Sequence, residues 1–560
     1  MPAPADVTEI ADLLVQLVGG ASLCIFIGAH SSLARPPSAA PANQRRRRTA
    51  SAAASSSSDS DSASDSDEYD PALQAGLDSS DAILLPLVSA LVLYGMYCLI
   101  TYLDNPDLLS RLVRGYISIL SLVSVAGSMA QALQLATTLV FPQTWRTLSG
   151  AVYTVCPAQR GHALLTASGH GAVKRGVLGP LPWGVVDSDP ASGESALSRG
   201  LWAVRAAMLQ KWRVQIRVGR GVLVREQATF QLQHLAGVVL AVAVVAGYHF
   251  TNATALANTI AVCLCQMTFS ILSPTTFVTG SLVLVGLFVY DIVMVFYTPL
   301  MVTVATKLDA PIKLVASSAS RKSSMLGLGD IVVPGIVIAM ALRFDLWRHY
   351  ANKIKYDTVE LKTTAPPALK SDASPGDSQT GVVVATHLRI MATKARYISV
   401  ANKWGDWLWT LRLPGRSSHP GAAPLPVSLA GASFSKTYFA AAMAGYVAGL
   451  LAAMGCMLVF RHGQPALLYL VPAVLTAVWG TGLARGEIGL MLRYTEDGSL
   501  DTREVIAEVD AEGKPVVSEA EKARVERRRR RREERLKSFR ASRDVVVLRV
   551  QEVVRKERAN

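Results

Sequence analysis

SLVLVGLFVYDIVMVFYTPLMVTV, residues 281–304, and MLGLGDIVVPGIVIAMALRF, residues 325–344, are two apolar stretches that each hold one aspartate near a run of aliphatic side chains, Asp291 and Asp330. Each is long enough to cross a hydrocarbon layer about 30 Å thick. A charged side chain at that depth costs roughly 2.5–3.5 kcal/mol on insertion scales, so each aspartate is a candidate functional residue. Two of them on successive spans point either to an ion pathway or to an acid/base pair working inside the membrane.

Outward from these stretches the pattern repeats. The chain has 560 residues, is 50% hydrophobic and has a mean hydropathy of +0.30. Nine apolar stretches qualify as spans: residues 11–29, 82–103, 116–141, 235–250, 255–272, 279–304, 325–344, 437–460 and 465–483. The expected fold is therefore all-α, a polytopic membrane protein with nine transmembrane helices. Asp6, Glu9 and Asp12 stand where a cleavable signal peptide would carry basic residues, so the first stretch reads as a retained helix. Of the six cysteines, Cys24, Cys98, Cys263, Cys265 and Cys456 lie in spans. Their spacing gives neither a disulfide framework nor a zinc site, and no metal or cofactor is expected.

The net charge of +14 is distributed by side of the membrane and does not argue for nucleic acid. Eleven Lys/Arg fall in residues 142–234, Arg45–Arg48 lie in the first linker, and residues 349–435 and the tail are also basic. The positive-inside rule then places the N-terminus in the lumen and the C-terminus in the cytosol, which an odd number of spans allows. The chain divides into a first span (1–30), a disordered Arg- and Ser/Asp-rich linker (31–81) and spans two and three (82–141). A basic cytosolic segment (142–234) leads to spans four to seven (235–345). A cytosolic insertion (346–436), spans eight and nine (437–484) and a basic cytosolic tail (485–560) complete it. Within the soluble parts, the alternation of RVQIRVGRGVLVRE at 213–226 predicts a hairpin. Leu201, Val204, Met208 and Trp212 have the spacing of an interfacial helix. The tail from Ser518 reads as helical, its Arg527–Arg532 run suits an anionic leaflet, and the final KERAN loosely approaches a dibasic retrieval signal.

Two carboxyls brought together by packed spans cannot both ionise, so they share a proton. One then accepts a proton from a water that attacks a peptide carbonyl, while the other donates to the developing oxyanion and the leaving amine. Gly327 and Gly329 flank Leu328 just before Asp330 and clear side chains from where a substrate backbone would approach. Gln464, Pro465, Ala466 and Leu467 open the ninth span, where the proline leaves extended backbone able to hold an unwound substrate by strand-like pairing. No HExxH exists for a metalloprotease, and the close Ser/His pairs (Ser168 with His170, Ser418 with His419) lie in polar loops. Tyr290 beside Asp291 reads as a residue that orients the site, or as a packed aromatic.

These residues resemble the signal peptide peptidase family of GxGD-type intramembrane aspartyl proteases, related to the presenilins. The likeness lies in Tyr290-Asp291, in Gly327-Leu328-Gly329-Asp330 and in QPALLYLVP at 464–472, with MVTVA (301–305) and APIKLV (310–315) between them. It implies that Asp291 and Asp330 are the catalytic pair and that Tyr290, Gly327, Leu328, Gly329, Gln464, Pro465, Ala466 and Leu467 shape the substrate site. It further implies an intramembrane aspartic endopeptidase of the endoplasmic reticulum membrane. Its substrates would be membrane-embedded segments of type II orientation, including signal peptides left after signal peptidase has acted, and it could form a homo-oligomer. A paralogue acting in a later compartment and a non-catalytic channel or membrane chaperone are the alternatives.

Overall fold

The computed structural model describes residues 4–34, 38–39, 75–102, 106–147, 150–166, 169–176, 178–182, 195–218, 224–298, 313–317, 323–364, 384–393, 397–411, 429, 433–460, 464–496, 508–509, 515–516 and 546–552. The Ser/Asp run, Arg45–Arg48, Arg527–Arg532, the KERAN end and MVTVA at 301–305 lie outside the described residues.

Among the described residues there are nine long helices, which form the bundle, and three short ones. The long ones are α1 (Pro4–Ser32), α2 (Asp81–Tyr102), α3 (Pro106–Val140), α5 (Leu232–Thr251), α6 (Thr254–Ile271), α7 (Phe277–Phe296), α8 (Leu328–Ala351), α10 (Thr437–Phe460) and α11 (Leu467–Ala484). The short ones are α4 (Ala196–Leu209), α9 (Trp404–Thr410) and α12 (Ile488–Arg493). Eight of the long helices are long and apolar enough to cross a membrane, and the protein is an all-α polytopic membrane protein. The ninth, α8, differs because Asp330, Arg343, Asp345 and Arg348 interrupt its apolar run. It is also the most enclosed: from Pro334 to Leu346 every residue is buried, with α1, α6, α7, α10 and α11 packed around it. Its charges therefore face protein and not lipid, the arrangement that makes them tolerable.

The expected fourth and fifth spans are separate helices because Asn252 adopts a left-handed φ of 49° and stops α5. Of the expected sixth span, α7 covers Phe277–Phe296, and residues 299–304 lie outside the described residues.

One ring ties three helices together. Phe269 of α6, fully buried, lies against Gly28 of α1 and Gly335 of α8. A β-carbon on Gly28 would sit 1.9 Å from the ring, and one on Gly335 would sit 2.5 Å from it. Glycine at both positions is what allows the helices to close on the ring.

The segment between α3 and α5 is a folded module. Beside strands β1 (Ala75–Leu77) and β8 (Leu272–Pro274), which pair with each other, β2 (Thr144–Arg146), β3 (Val152–Cys156), β4 (Gly161–Thr166) and β5 (Gly169–Lys174) form an antiparallel meander, with Trp145, Val155 and Trp202 of α4 in its core. The predicted hairpin is present as β6 (Trp212–Val218) and β7 (Val224–Phe230). Trp212 consequently belongs to a strand, and α4 stops at Leu209. Residues 546–552, expected to be helical, form a strand on the other edge of β6. In the insertion after α8, α9 is tethered to the end of α3: Asp406 Oδ1 accepts from the amides of Gln143 (2.7 Å) and Thr144 (3.2 Å). Trp409 Nε1 donates to Leu139 O at 2.7 Å.

Candidate active site

Asp291 lies three-quarters of the way along α7, and Asp330 is the third residue of α8. In the structure α7 packs on α8, and the two carboxyls lie within electrostatic reach of each other. Asp291 is only 7% exposed, and its Oδ2 is buried without a hydrogen-bond partner among the described residues. Asp330 is half-buried.

The glycine pair leads into this point. Strand β10 (Ser323–Gly327) runs straight into α8, with Gly327 extended at φ −65° and ψ 143°. A β-carbon on Gly327 would sit 3.4 Å from Asp330 Oδ2, and one on Gly329 would meet nothing within 4 Å. Among the described residues, then, nothing crowds the glycine side of Asp330.

The PAL segment arrives from α11. The main-chain N–H of Leu467 is directed to the Asp291 carboxyl, so this segment touches the aspartate through its backbone. Pro465 O accepts from Leu468 N at 3.2 Å, which turns the chain into α11 directly after the proline. The structure does not bring every candidate to the carboxyls in the same way. The Leu328 side chain is buried in the core. The Gln464 amide oxygen accepts from the Tyr469 hydroxyl. Tyr290 is half-buried and next to Asp291.

Two further residues bear on the site. Tyr446 of α10 is fully buried, its hydroxyl has no partner among the described residues, and the charge of Asp330 reaches it. Asn258 of α6 binds the backbone of strand β9 (Lys313–Ser317), which pairs with β10. Asn258 could have been found, since an amide in an apolar span is itself a signal. A tyrosine among alanines and glycines in α10 gives none.

A bundle of membrane-length helices defines the class, a polytopic membrane protein, and Asp291 and Asp330 lie on two of its helices that pack together. The signal peptide peptidase family model matches residues 67–498, and the chain belongs to that family. It is 33% identical over 244 residues to Intramembrane protease 2 of Caenorhabditis elegans, covering 42% of this chain and 37% of the relative. It is 31% identical over 230 residues to the signal peptide peptidase of Mus musculus, covering 40% and 39%. A probable intramembrane protease of Schizosaccharomyces pombe is 42% identical over 113 residues, covering 20% and 38%. The chain spans less than two fifths of the length of each of these relatives.

Proposed function

We propose that this protein is an intramembrane aspartic endopeptidase that cleaves transmembrane segments of type II orientation, including signal peptides left after signal peptidase has acted. The packing of α7 on α8, which brings Asp291 and Asp330 within electrostatic reach of each other, carries this reading. The pair shares a proton, and one member activates water while the other protonates the carbonyl oxygen and then the departing amine. The Leu467 amide can donate but never accept, and a donor aimed at Asp291 suits that carboxyl to the base role at the start of the cycle. Asp330, beside the open glycines, then begins as the acid. Tyr290, Gly327, Leu328, Gly329, Gln464, Pro465, Ala466 and Leu467 shape the substrate site around them.

Membrane placement follows from charge. Ser32, Ser273, Arg343 and Glu496 meet at one end of the bundle, the end that the basic segments assign to the cytosol. The carboxyl site and β9–β10 then lie toward the lumenal end. The endoplasmic reticulum is the compartment that fits likeness to signal peptide peptidases. Likeness to signal peptide peptidase-like 2B of Rattus norvegicus, 27% over 269 residues, supports a later compartment as the second reading. Location of the tagged protein separates the two.

The test is cleavage of a labelled signal-peptide substrate by the purified full chain, beside Asp291→Asn and Asp330→Asn. The expected result is turnover by the wild type, none by either variant, and inhibition by a hydroxyl-isostere transition-state analogue. Activity that survives either substitution overturns the reading, and so does an inert wild type.

A further inference from the structure

α9 is built the wrong way round for a helix in water. Its large apolar side chains face outward: Trp407 is 46% exposed, Leu408 51% and Leu411, just past its end, 44%. Leu411 follows Trp407 by four residues and Leu408 by three, so the three share one side. The opposite side, Gly405, Asp406 and Thr410, is buried. There Asp406 Oδ1 accepts from the Gln143 and Thr144 amides, and Thr410 Oγ1 donates to Asp406 O at 2.7 Å. A helix lying between protein and water buries its apolar stripe and shows its polar one. α9 does the reverse.

The docking leaves it no freedom to turn over. A β-carbon on Gly405 would sit 2.1 Å from Thr138 O, and Trp409 Nε1 is held by Leu139 O. α9 therefore lies on the last turn of α3. At its other end the Trp404 ring meets His30 of α1, their centroids 5.1 Å apart, and Lys436 Nζ, directly before α10, lies 5.3 Å from the Trp404 centroid. The last turns of α1 and α3 and the first turn of α10 thus gather at α9, and all three helices are long and apolar enough to cross a membrane. α9 stands where the spans end, on the side that the basic segments assign to the cytosol. Along α3, Ile119, Val123 and Val140 are exposed as well, as the lipid-facing side of a span is.

We infer that α9 is an interfacial anchor: Trp407, Leu408 and Leu411 enter the boundary between headgroups and acyl chains of the bilayer that α3 spans. Tryptophan is favoured at that depth because its ring is apolar and its N–H polar. Lipid there removes from water the apolar surface that the described residues leave uncovered. A second copy of the chain could also cover it. Continuity with the exposed side of α3 favours lipid, since one apolar solvent then covers both.

The experiment places the full chain in phosphatidylcholine vesicles whose acyl chains carry bromine either near the headgroup or near their ends. The chain has nine tryptophans, so Trp407 is read as the difference between wild type and Trp407→Phe. A second reporter on the same side is Leu408→Trp added to Trp407→Phe, read against Trp407→Phe alone. The expected result at each position is loss of about half the signal or more with bromine near the headgroup, a smaller loss with bromine near the chain ends, and weak quenching by acrylamide from the water. Strong acrylamide quenching without bromine quenching puts this side of α9 in water and overturns the inference. Protection from both quenchers overturns it too, because protein then covers the side, either a second copy or another part of this chain. The wild type gives an independent reading that needs no variant. A phosphatidylcholine with a photoactivated diazirine beside its headgroup should label the peptide that contains Trp407, Leu408 and Leu411. Label on the exposed side of α3 with none on that peptide sinks the anchor, whether or not the variants fold.

Discussion

Arg343 Nε and Glu496 Oε1 lie 2.6 Å apart in a nearly solvent-free ion pair, their side chains 7% and 13% exposed. The pair joins α8 to the segment that follows α12. Arg343 Nη1 also donates to Ser32 Oγ at the end of α1 (2.6 Å), and Nη2 donates to Ser273 Oγ before α7. Tyr494, fully buried, donates from its hydroxyl to the same Glu496 oxygen at 2.9 Å. One guanidinium thus gathers the ends of several helices around the one that carries Asp330.

Removing one partner of such a pair leaves a buried charge unmatched, at a cost of about 3–5 kcal/mol. Glu496→Gln and Arg343→Met are each expected to lower the thermal midpoint of the detergent-solubilised protein. The double variant should lose clearly less than the sum of the two, because the second substitution removes the orphaned charge left by the first. Additive losses in a double-mutant cycle would show that the two side chains do not act as a pair.

Sequence legibility followed the physics of each signal. The apolar run that predicts α10 gives the observed ends, residues 437–460, since a hydrophobic stretch bounded by polar residues sets its own limits. Asp291, Asp330 and the glycines were legible because intramembrane charge and missing side chains are costly enough to be informative. Other features depend on what the fold brings together. Asp406 meets the amides of Gln143 and Thr144 from more than 260 residues away, and no local pattern announces that. Strand 546–552 joins β6 across a similar gulf, and there the Glu/Arg-rich composition pointed to helix. Val546, Val547, Leu548 and Val550 are strand formers, a local signal that the average composition of the tail hides.

Gly329 and Gly335 separate two uses of glycine on α8. A methyl on Gly329 meets nothing within 4 Å, and alanine is a better helix former by about 1 kcal/mol. Gly329→Ala should therefore leave the thermal midpoint equal or higher, while kcat/KM for a transmembrane substrate falls because the methyl occupies the approach to Asp330. Unchanged kinetics would remove Gly329 from the substrate path.

Gly335→Ala should behave in the opposite way. Its methyl would sit 2.5 Å from two atoms of the Phe269 ring, and overpacking of this kind costs about 1–3 kcal/mol or more. The variant is expected to melt earlier and to regain part of the loss when combined with Phe269→Leu, which vacates the contact. Failure of the second substitution to recover any stability would show that the Phe269 contact does not limit the closeness of α6 and α8.

Outside the membrane, His162 and Asp406 set opposite pH responses in the module between α3 and α5. Trp145 Nε1 donates to His162 Nδ1 at 3.2 Å, so the neutral ring offers Nε2–H to Gly179 O at 2.9 Å. Burial, aided by the charge of Arg205 and opposed by the Gly179 bond, lowers the His162 pKa below its ordinary 6.5. A folded pKa below the unfolded one means stability that is present above pH 6.5 and lost as pH falls through the folded value. Asp406 is raised by burial, against the opposing pull of the Thr144 and Gln143 amides and then of Lys403 and Arg205. Its raised pKa adds stability as pH falls through the folded value, complete below the unfolded 3.8. Amide hydrogen exchange of residues 142–174, corrected for intrinsic rates, should therefore show protection falling as pH drops below 6.5. His162→Gln should abolish that fall, and Asp406→Asn should steepen it by removing the compensating gain while keeping an acceptor for the two amides. Protection that stays flat in the wild type and in both variants would mean that neither group titrates differently in the folded module.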